Sequence, residues 1–359
     1  MINNLNMIDE YKLINGLENI KEYYSLNRLK TLYVLNSGFD PRMCESIVKL
    51  QSCISEMDIL LFKYEEGYHS SSEQYSNLVK NNLQILEGLK CNINKLDVKS
   101  NVNLLPLFKK AFNFSQLSSE YGRIVIDISS MPQSIFINLI NYMIRENEKQ
   151  GTIKLDIITC ENSELDDAIV PTGLSDYAKP LIGFDTFSSD LESDENPIAV
   201  LIPLLGKSCR EELEKLYSTF SPIEICPVLP FPSKNPRRSD EILSVLGKNL
   251  FESFSVETSN IVYVAEQNVF DVYIKLFNTI KHYQKVLAMI GNPRFYISIG
   301  SSKLIGLGAL LANLKLRRQE ITVAFAVVEN SGYKLDITKY NSNNNLICCL
   351  SLKDSTYGW

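Results

Sequence analysis

Polar residues of a few types recur where apolar runs of this chain end. Asn36–Arg42 reads NSGFDPR and offers Asp40 and Arg42, and Asp127–Pro132 reads DISSMP and offers Asp127, Ser129 and Ser130. Further on come Gly206-Lys207-Ser208, the loop SKNPRRSDE with Arg237 and Arg238, and GSSK with Ser301, Ser302 and Lys303. Ser, Asp and Asn cap helices whatever the function. A cation at a helix start is different, because it opposes the positive end of the helix dipole. Arg42, Lys207 and Lys303 all occupy such positions, which points to an anionic, phosphate-bearing ligand. Arg237 and Arg238 sit on a loop that needs no function as a solvated turn, but as a lid it would add guanidinium groups suited to bidentate phosphate contacts. The expected ligand-binding set is therefore Asp40, Arg42, Ser129, Ser130, Lys207, Ser208, Arg237, Arg238, Ser301, Ser302 and Lys303. Asp127 is the candidate catalytic residue, as a metal or hydroxyl partner, and His69 on a Ser-rich loop is the candidate base.

Three textual matches lose force on inspection. Gly206-Lys207-Ser208 has the end of a phosphate-binding loop, but Leu201 stands where the first glycine belongs and Pro203-Leu204 fill the cradle. IVIDIS has a strand-end Asp of the kind that holds Mg²⁺, yet a lone Asp is common. Gly306 and Gly308 fall inside a helical pattern, where close helix packing explains them better than a dinucleotide fingerprint.

The elements that must position these residues are strands and helices in alternation. RIVIDISSMPQSIFIN is an apolar strand, a Ser-rich turn and an apolar helix, and RFYISIGSSKLIGLGALL repeats that order. Each copy is followed by one more strand ending in Glu-Asn, at Asn162 and at Asn330. The pattern predicts an α/β fold of two Rossmann-like lobes with mainly parallel sheets and an internal duplication. Residues 1–165 form the first lobe with an N-terminal helix, 166–196 an acidic, turn-rich linker, and 197–359 the second lobe ending in antiparallel edge strands. A chain of 359 residues suits two such cores.

Composition narrows the classes. With 45% hydrophobic and 22% charged residues the chain is globular rather than disordered. No apolar run approaches the roughly 20 residues of a membrane span, and the start of the chain is not a secretory signal, so a cytoplasmic protein is expected. A net charge of −6 argues against a general nucleic-acid surface. Eight cysteines without CxxC spacing and only two histidines predict no metal site and no cofactor.

NSGFDPRM, DISSMP, the Gly-Lys-Ser helix start, NVFD and SSKLIGLG together resemble an uncharacterised two-lobed α/β family of bacterial multi-gene loci, some of them similar to antiphage defence loci. The chain is more loosely similar to the Rossmann-like ligand-sensing domains of CRISPR-associated proteins, which bind cyclic oligonucleotides at strand ends. These resemblances imply a nucleotide-binding or phosphometabolite-binding component of a defence system, with the ligand held between the strand ends of two lobes. They make Asp40, Arg42, Asp127, Ser301 and Lys303 conspicuous and leave proteins of the same gene cluster as partners. The alternatives are an enzyme acting on a nucleotide or ribose phosphate, and a scaffold for partner proteins.

Overall fold

The computed structural model describes residues 7–8, 11–65, 73–99, 103–150, 153–184, 197–300, 302–336 and 340–352. His69 and Ser301 lie outside the described residues. The chain forms two compact units, the first made of residues 1–162 and 341–359 and the second of residues 163–340.

The first unit opens with β1 (Met7–Ile8), β2 (Tyr11–Asn15), α1 (Leu17–Leu26), β3 (Thr31–Ser37), α2 (Glu45–Leu50) and β4 (Met57–Glu65). It continues through α3 (Glu73–Glu87), β5 (Asn92–Lys99), α4 (Leu105–Ala111), α5 (Phe114–Glu120), β6 (Arg123–Asp127), α6 (Gln133–Gln150) and β7 (Lys154–Glu161). The second unit holds α7 (Ser163–Ala168), β8 (Ile169–Thr172), β9 (Ala178–Pro180), β10 (Pro197–Leu204), α8 (Arg210–Phe220), β11 (Glu224–Ile225) and β12 (Val228–Pro230). Then come α9 (Arg238–Gly247), β13 (Val262–Val264), α10 (Val269–Leu287), β14 (Asn292–Ile299), α11 (Lys303–Arg317), β15 (Val323–Val328) and β16 (Gly332–Leu335). The last strand, β17 (Leu346–Leu352), returns to the first unit.

Both sheets are wound alike. In the first, β5, β4, β3, β6 and β7 lie side by side and parallel, and in the second β13, β12, β10, β14 and β15 do the same. Numbered by their order in each unit, the five strands run 3-2-1-4-5 in both, the doubly wound order of a Rossmann-like half. Each then adds an antiparallel strand beside its fifth, β17 on β7 and β9 on β15. The matched order is what the expected duplication requires at the level of architecture.

Central strands such as TLYVLNS and RIVID are buried over nearly their whole length, as parallel strands covered by helices on both faces must be. In the first unit Tyr33, Leu35, Ile59, Val125 and Ile158 pack with α1 and α2 on one face. In the second, Leu201, Tyr296, Ala324 and Ala326 pack with α8 and α9. On its other face α10 and α11 meet at Gly308, where a Cβ would stand 2.6 Å from Val272 Cβ and 2.7 Å from the Val269 carbonyl. The helix-packing reading of Gly308 is the one the geometry supports.

The C-terminal segment departs from expectation. LICCLSL is not an edge strand of the second unit but an inner strand of the first, antiparallel to β7 on one side and to β2 on the other. The buried pair Arg123–Asp156 explains part of this. Arg123 Nε lies 3.1 Å from Asp156 Oδ2, its guanidinium stacks on the Tyr24 ring at 4.3 Å, and the Tyr23 hydroxyl lies 2.8 Å from Ser351 Oγ on β17. The pair thus ties α1 and β17 to the sheet. The segment expected as a linker also begins with structure, since α7, β8 and β9 belong to the second unit and β8 pairs with β16. Among the described residues no helix is long and apolar enough to cross a membrane.

Gly308→Ala is expected to destabilise the protein by about 1–3 kcal/mol, the usual cost of overpacking, while Gly247→Ala, at a helical position where a Cβ meets only ordinary contacts, should be neutral or stabilise it by up to about 1 kcal/mol. Chemical denaturation of both variants checks this; equal stabilities would refute the close-packing account.

Candidate functional site

Doubly wound sheets bind ligands outside the carboxyl ends of their strands, where adjacent strands send their connections in opposite directions. In the first unit that switch lies between β3 and β6, and in the second between β10 and β14. Nearly all the polar residues expected from the sequence fall in the loops at these two places.

In the first unit they are spent on each other. Arg42 is 3% exposed and grips Asp40 through two parallel hydrogen bonds, Nε to Oδ1 at 3.0 Å and Nη2 to Oδ2 at 2.8 Å, with Nη1 3.4 Å from the Cys160 carbonyl. The Arg42 amide donates to Asp40 Oδ1 as well, at 2.9 Å. The misplaced cation therefore has its anion, two residues away. Asn82 holds the same loop by donating to the Gly38 and Asp40 carbonyls at 2.8 and 2.9 Å.

Asp127 is 1% exposed. Its carboxylate accepts from the Tyr33 hydroxyl at 3.1 Å, from the Ser46 hydroxyl, and from the Ser129 amide at 3.0 Å. Burial pushes its carboxyl up, and the bonds from Ser129, Ser46 and Tyr33 pull against that rise. β3, α2 and the turn after β6 are thereby tied to one group. Ser129 Oγ accepts from the Cys160 amide at 2.8 Å, and Ser130 Oγ donates to the Asn36 carbonyl at 2.8 Å, across the switch itself. Asp127, Ser129 and Ser130 act here as fastenings, and the strand-end Asp read as a catalytic candidate has its oxygens occupied from within.

The second unit is different. Lys207 is partly exposed, and its ammonium lies 2.5 Å from Glu241 Oε2, on the first turn of α9, and 3.5 Å from Asp167 Oδ2. The hydrogen bonds from Lys207 and Asn235 hold the Glu241 carboxyl below its ordinary value. Arg238, 5% exposed, donates through Nη1 to the same Asp167 oxygen, while its Nε stands 3.7 Å from Glu266 Oε1. Arg237 is exposed and precedes α9, so of the two arginines one is solvated and one is inside. Ser208 is partly buried beside Cys209, whose Sγ lies 2.9 Å from the Gly206 carbonyl. Gly300 lets the turn after β14 close on this loop, since a Cβ there would meet Cys209 Cβ at 2.7 Å. Ser302 caps α11 by accepting from the Ile305 amide at 3.2 Å, and Lys303 opens that helix, partly buried. No acidic residue stands in the first turn of α11, whereas α8, α9 and α10 each carry one or two.

Sequence reasoning missed Tyr33 and Ser46 as the partners of Asp127, and Asp167 and Glu241 as those of Arg238 and Lys207. Asp167 lies in SELDDA, an acidic run that reads as solvated linker. Glu241 was visible at the end of SKNPRRSDE, where an acid in the first turn of a helix is ordinary. Among the described residues no three His, Cys, Asp or Glu side chains converge in a way that could hold a metal ion.

Two outcomes follow from these carboxylates. Asp127→Ala leaves the buried Ser46 hydroxyl and the Ser129 amide without their acceptor, while Tyr33 can still donate to Ser46 Oγ at 2.9 Å, and should cost about 2–4 kcal/mol of stability; a denaturation midpoint equal to that of the parent would overturn the fastening role. Glu212, partly buried on α8, is pushed up to about 7 by desolvation. The folded state therefore binds that proton more tightly than the unfolded state, and the stability linked to it is full at acid pH and lost as pH rises from about 4.5 to about 7. Glu212→Gln should flatten that loss, measured by urea denaturation across the range.

No family model matches the chain, and no curated protein matches it. Among solved structures, one assigned as a universal stress protein of Pseudomonas aeruginosa UCBPP-PA14 is similar at 8% identity, over 84% of this chain and 93% of that one, with a TM-score of 0.22.

Proposed function

We propose that the second unit binds a nucleotide or phosphorylated metabolite at the carboxyl ends of β10, β12 and β14. The observation that carries this reading is Lys207, a partly exposed ammonium at a topological switch, paired with the Glu241 and Asp167 carboxylates. Exposed ion pairs are worth about 0–1 kcal/mol, so exchange of Glu241 for a ligand phosphate costs little. Exposed Arg237 adds a second cation nearby in sequence to the α9 start, and the acid-free first turn of α11 favours negative charge at the same end of the sheet. The protein acts in the cytoplasm on this reading. Its place as a component of a defence-like system rests on the motif resemblance alone, and Asp127, enclosed by its own donors, takes no part in binding on this reading.

Calorimetric titration with ATP, a cyclic oligoadenylate and ribose 5-phosphate tests the proposal. At least one should bind, and Lys207→Ala should weaken it about tenfold, a loss of about 1.4 kcal/mol. Binding that is absent, or equal in Lys207→Ala, defeats the reading. For the defence setting, deletion from a host strain should raise phage plating efficiency; unchanged plating counts against it.

A further inference from the structure

We propose that β5 is a docking edge for a second copy of this chain, and that two copies join by antiparallel pairing of their β5 strands about a two-fold axis at Leu96. A sheet edge offers unpaired backbone donors and acceptors to any other strand, and soluble proteins blunt such edges by shortening, bulging or covering them. The two large sheets end in four edges, of which three are short: β1 has two residues, and β9 and β13 have three each. β5 has eight. It runs in unbroken register along β4, from Asn92 opposite Asp58 to Lys99 opposite Glu65, without a bulge or a proline. Among the described residues no strand pairs with its outer side, and Asn92, Asn94, Lys95 and Asp97 are exposed along it.

The charges on this edge select the partner. A lysine on an edge strand ordinarily keeps other strands away, and Lys95 alone would do so. Asp97 stands two residues on, however, and alternate residues share one face of a sheet. Neither forms an ion pair among the described residues, although Asp97 lies level with Lys63 on β4. In an antiparallel pair with Leu96 opposite its own copy, Lys95 of each chain lies opposite Asp97 of the other, and the match is made twice. Opposite charges so placed favour pairing and like charges oppose it. Moving the axis to Lys95 or to Asp97 would set a charge against itself, so the pattern fixes the register as well as the partner. On the other face Leu96, half-buried in one chain, meets Leu96. A contact of this kind is isologous and closes at two copies, which leaves no β5 edge open.

Sedimentation velocity of the full-length protein, from micromolar to several-hundred-micromolar concentration, tests the inference. A strand pair alone is smaller than the roughly 1,200 Å² at which stable interfaces begin, so the parent should pass from monomer to dimer within that range. Amide hydrogen exchange at residues 92–99 should slow as it does so, a measurement that requires no variant to fold. Lys95→Asp sets like charges opposite each other at both pairs and should weaken the dimer about tenfold, as should Asp97→Lys. Lys95→Asp combined with Asp97→Lys rebuilds both pairs and should recover the parental dimer, which damage to the fold by either change would not allow. A parent that stays monomeric throughout overturns the inference. So does a dimer whose β5 amides exchange as in the monomer, one that ignores the single reversals, or a double variant as weak as the single ones.

Discussion

A cation taken out of water at the carboxyl end of a sheet must find an anion, and in this protein three do so within their own chain. Arg42 finds Asp40, Arg238 finds Asp167, and Lys207 finds Glu241. The helix dipole alone would disfavour all three positions. Inferring a ligand from misplaced charge is sound only after the resident counter-charges are known. Here they turn one apparent set of ligand groups into two kinds, fastenings and exchangeable contacts.

The difference between the kinds is burial and geometry. The Arg42–Asp40 pair is a closed bidentate clasp with 4% and 10% of its side chains exposed, and the arginine has a carbonyl as a further acceptor. Breaking it would leave a buried charge alone, at a cost of about 3–5 kcal/mol. The Lys207–Glu241 pair has 30% and 38% exposure, and either partner can be solvated when they part. Two units with the same 3-2-1-4-5 winding thus present different ends. The first is shut by Ser130 bonding across its switch and by Asp127 drawing in Tyr33 and Ser46, while the second keeps Lys207, a partly exposed cation that can change partners.

The alternating fold was legible because parallel strands buried on both faces write continuous apolar runs, as in RIVID and VAFAVV, and because strand order follows from right-handed crossovers. The Glu-Asn strand ends were visible too, and their work is local. Asn162 donates to Asn345 Oδ1 at 2.8 Å, and Glu329 meets Lys179 at 2.6 Å. The place of β17 was not legible. LICCLSL carries no charge and so announces an inner strand, but nothing in its pattern says which sheet it enters; that is fixed by pairing partners 185 to 195 positions away in β7 and over 330 in β2. Nor could spacing reveal that Asp167 answers Arg238, since ion pairs between a turn and a distant helix leave no period.

The same reasoning bears on chemistry. A carboxylate that activates water or holds a metal needs a free lone pair facing the reactant. Asp127 spends its oxygens on two hydroxyls and an amide in a dry interior, where unmaking any of those bonds costs more than a ligand contact of the same kind would return. Its conspicuous sequence position, at a strand end before a Ser-rich turn, is shared by a structural tie and a catalytic base alike. What separates them is the count of donors already present. By that count the turn around Asp127 is a structural junction, while among the described residues of the other sheet Asp167, Glu241 and Glu266 stand among cations.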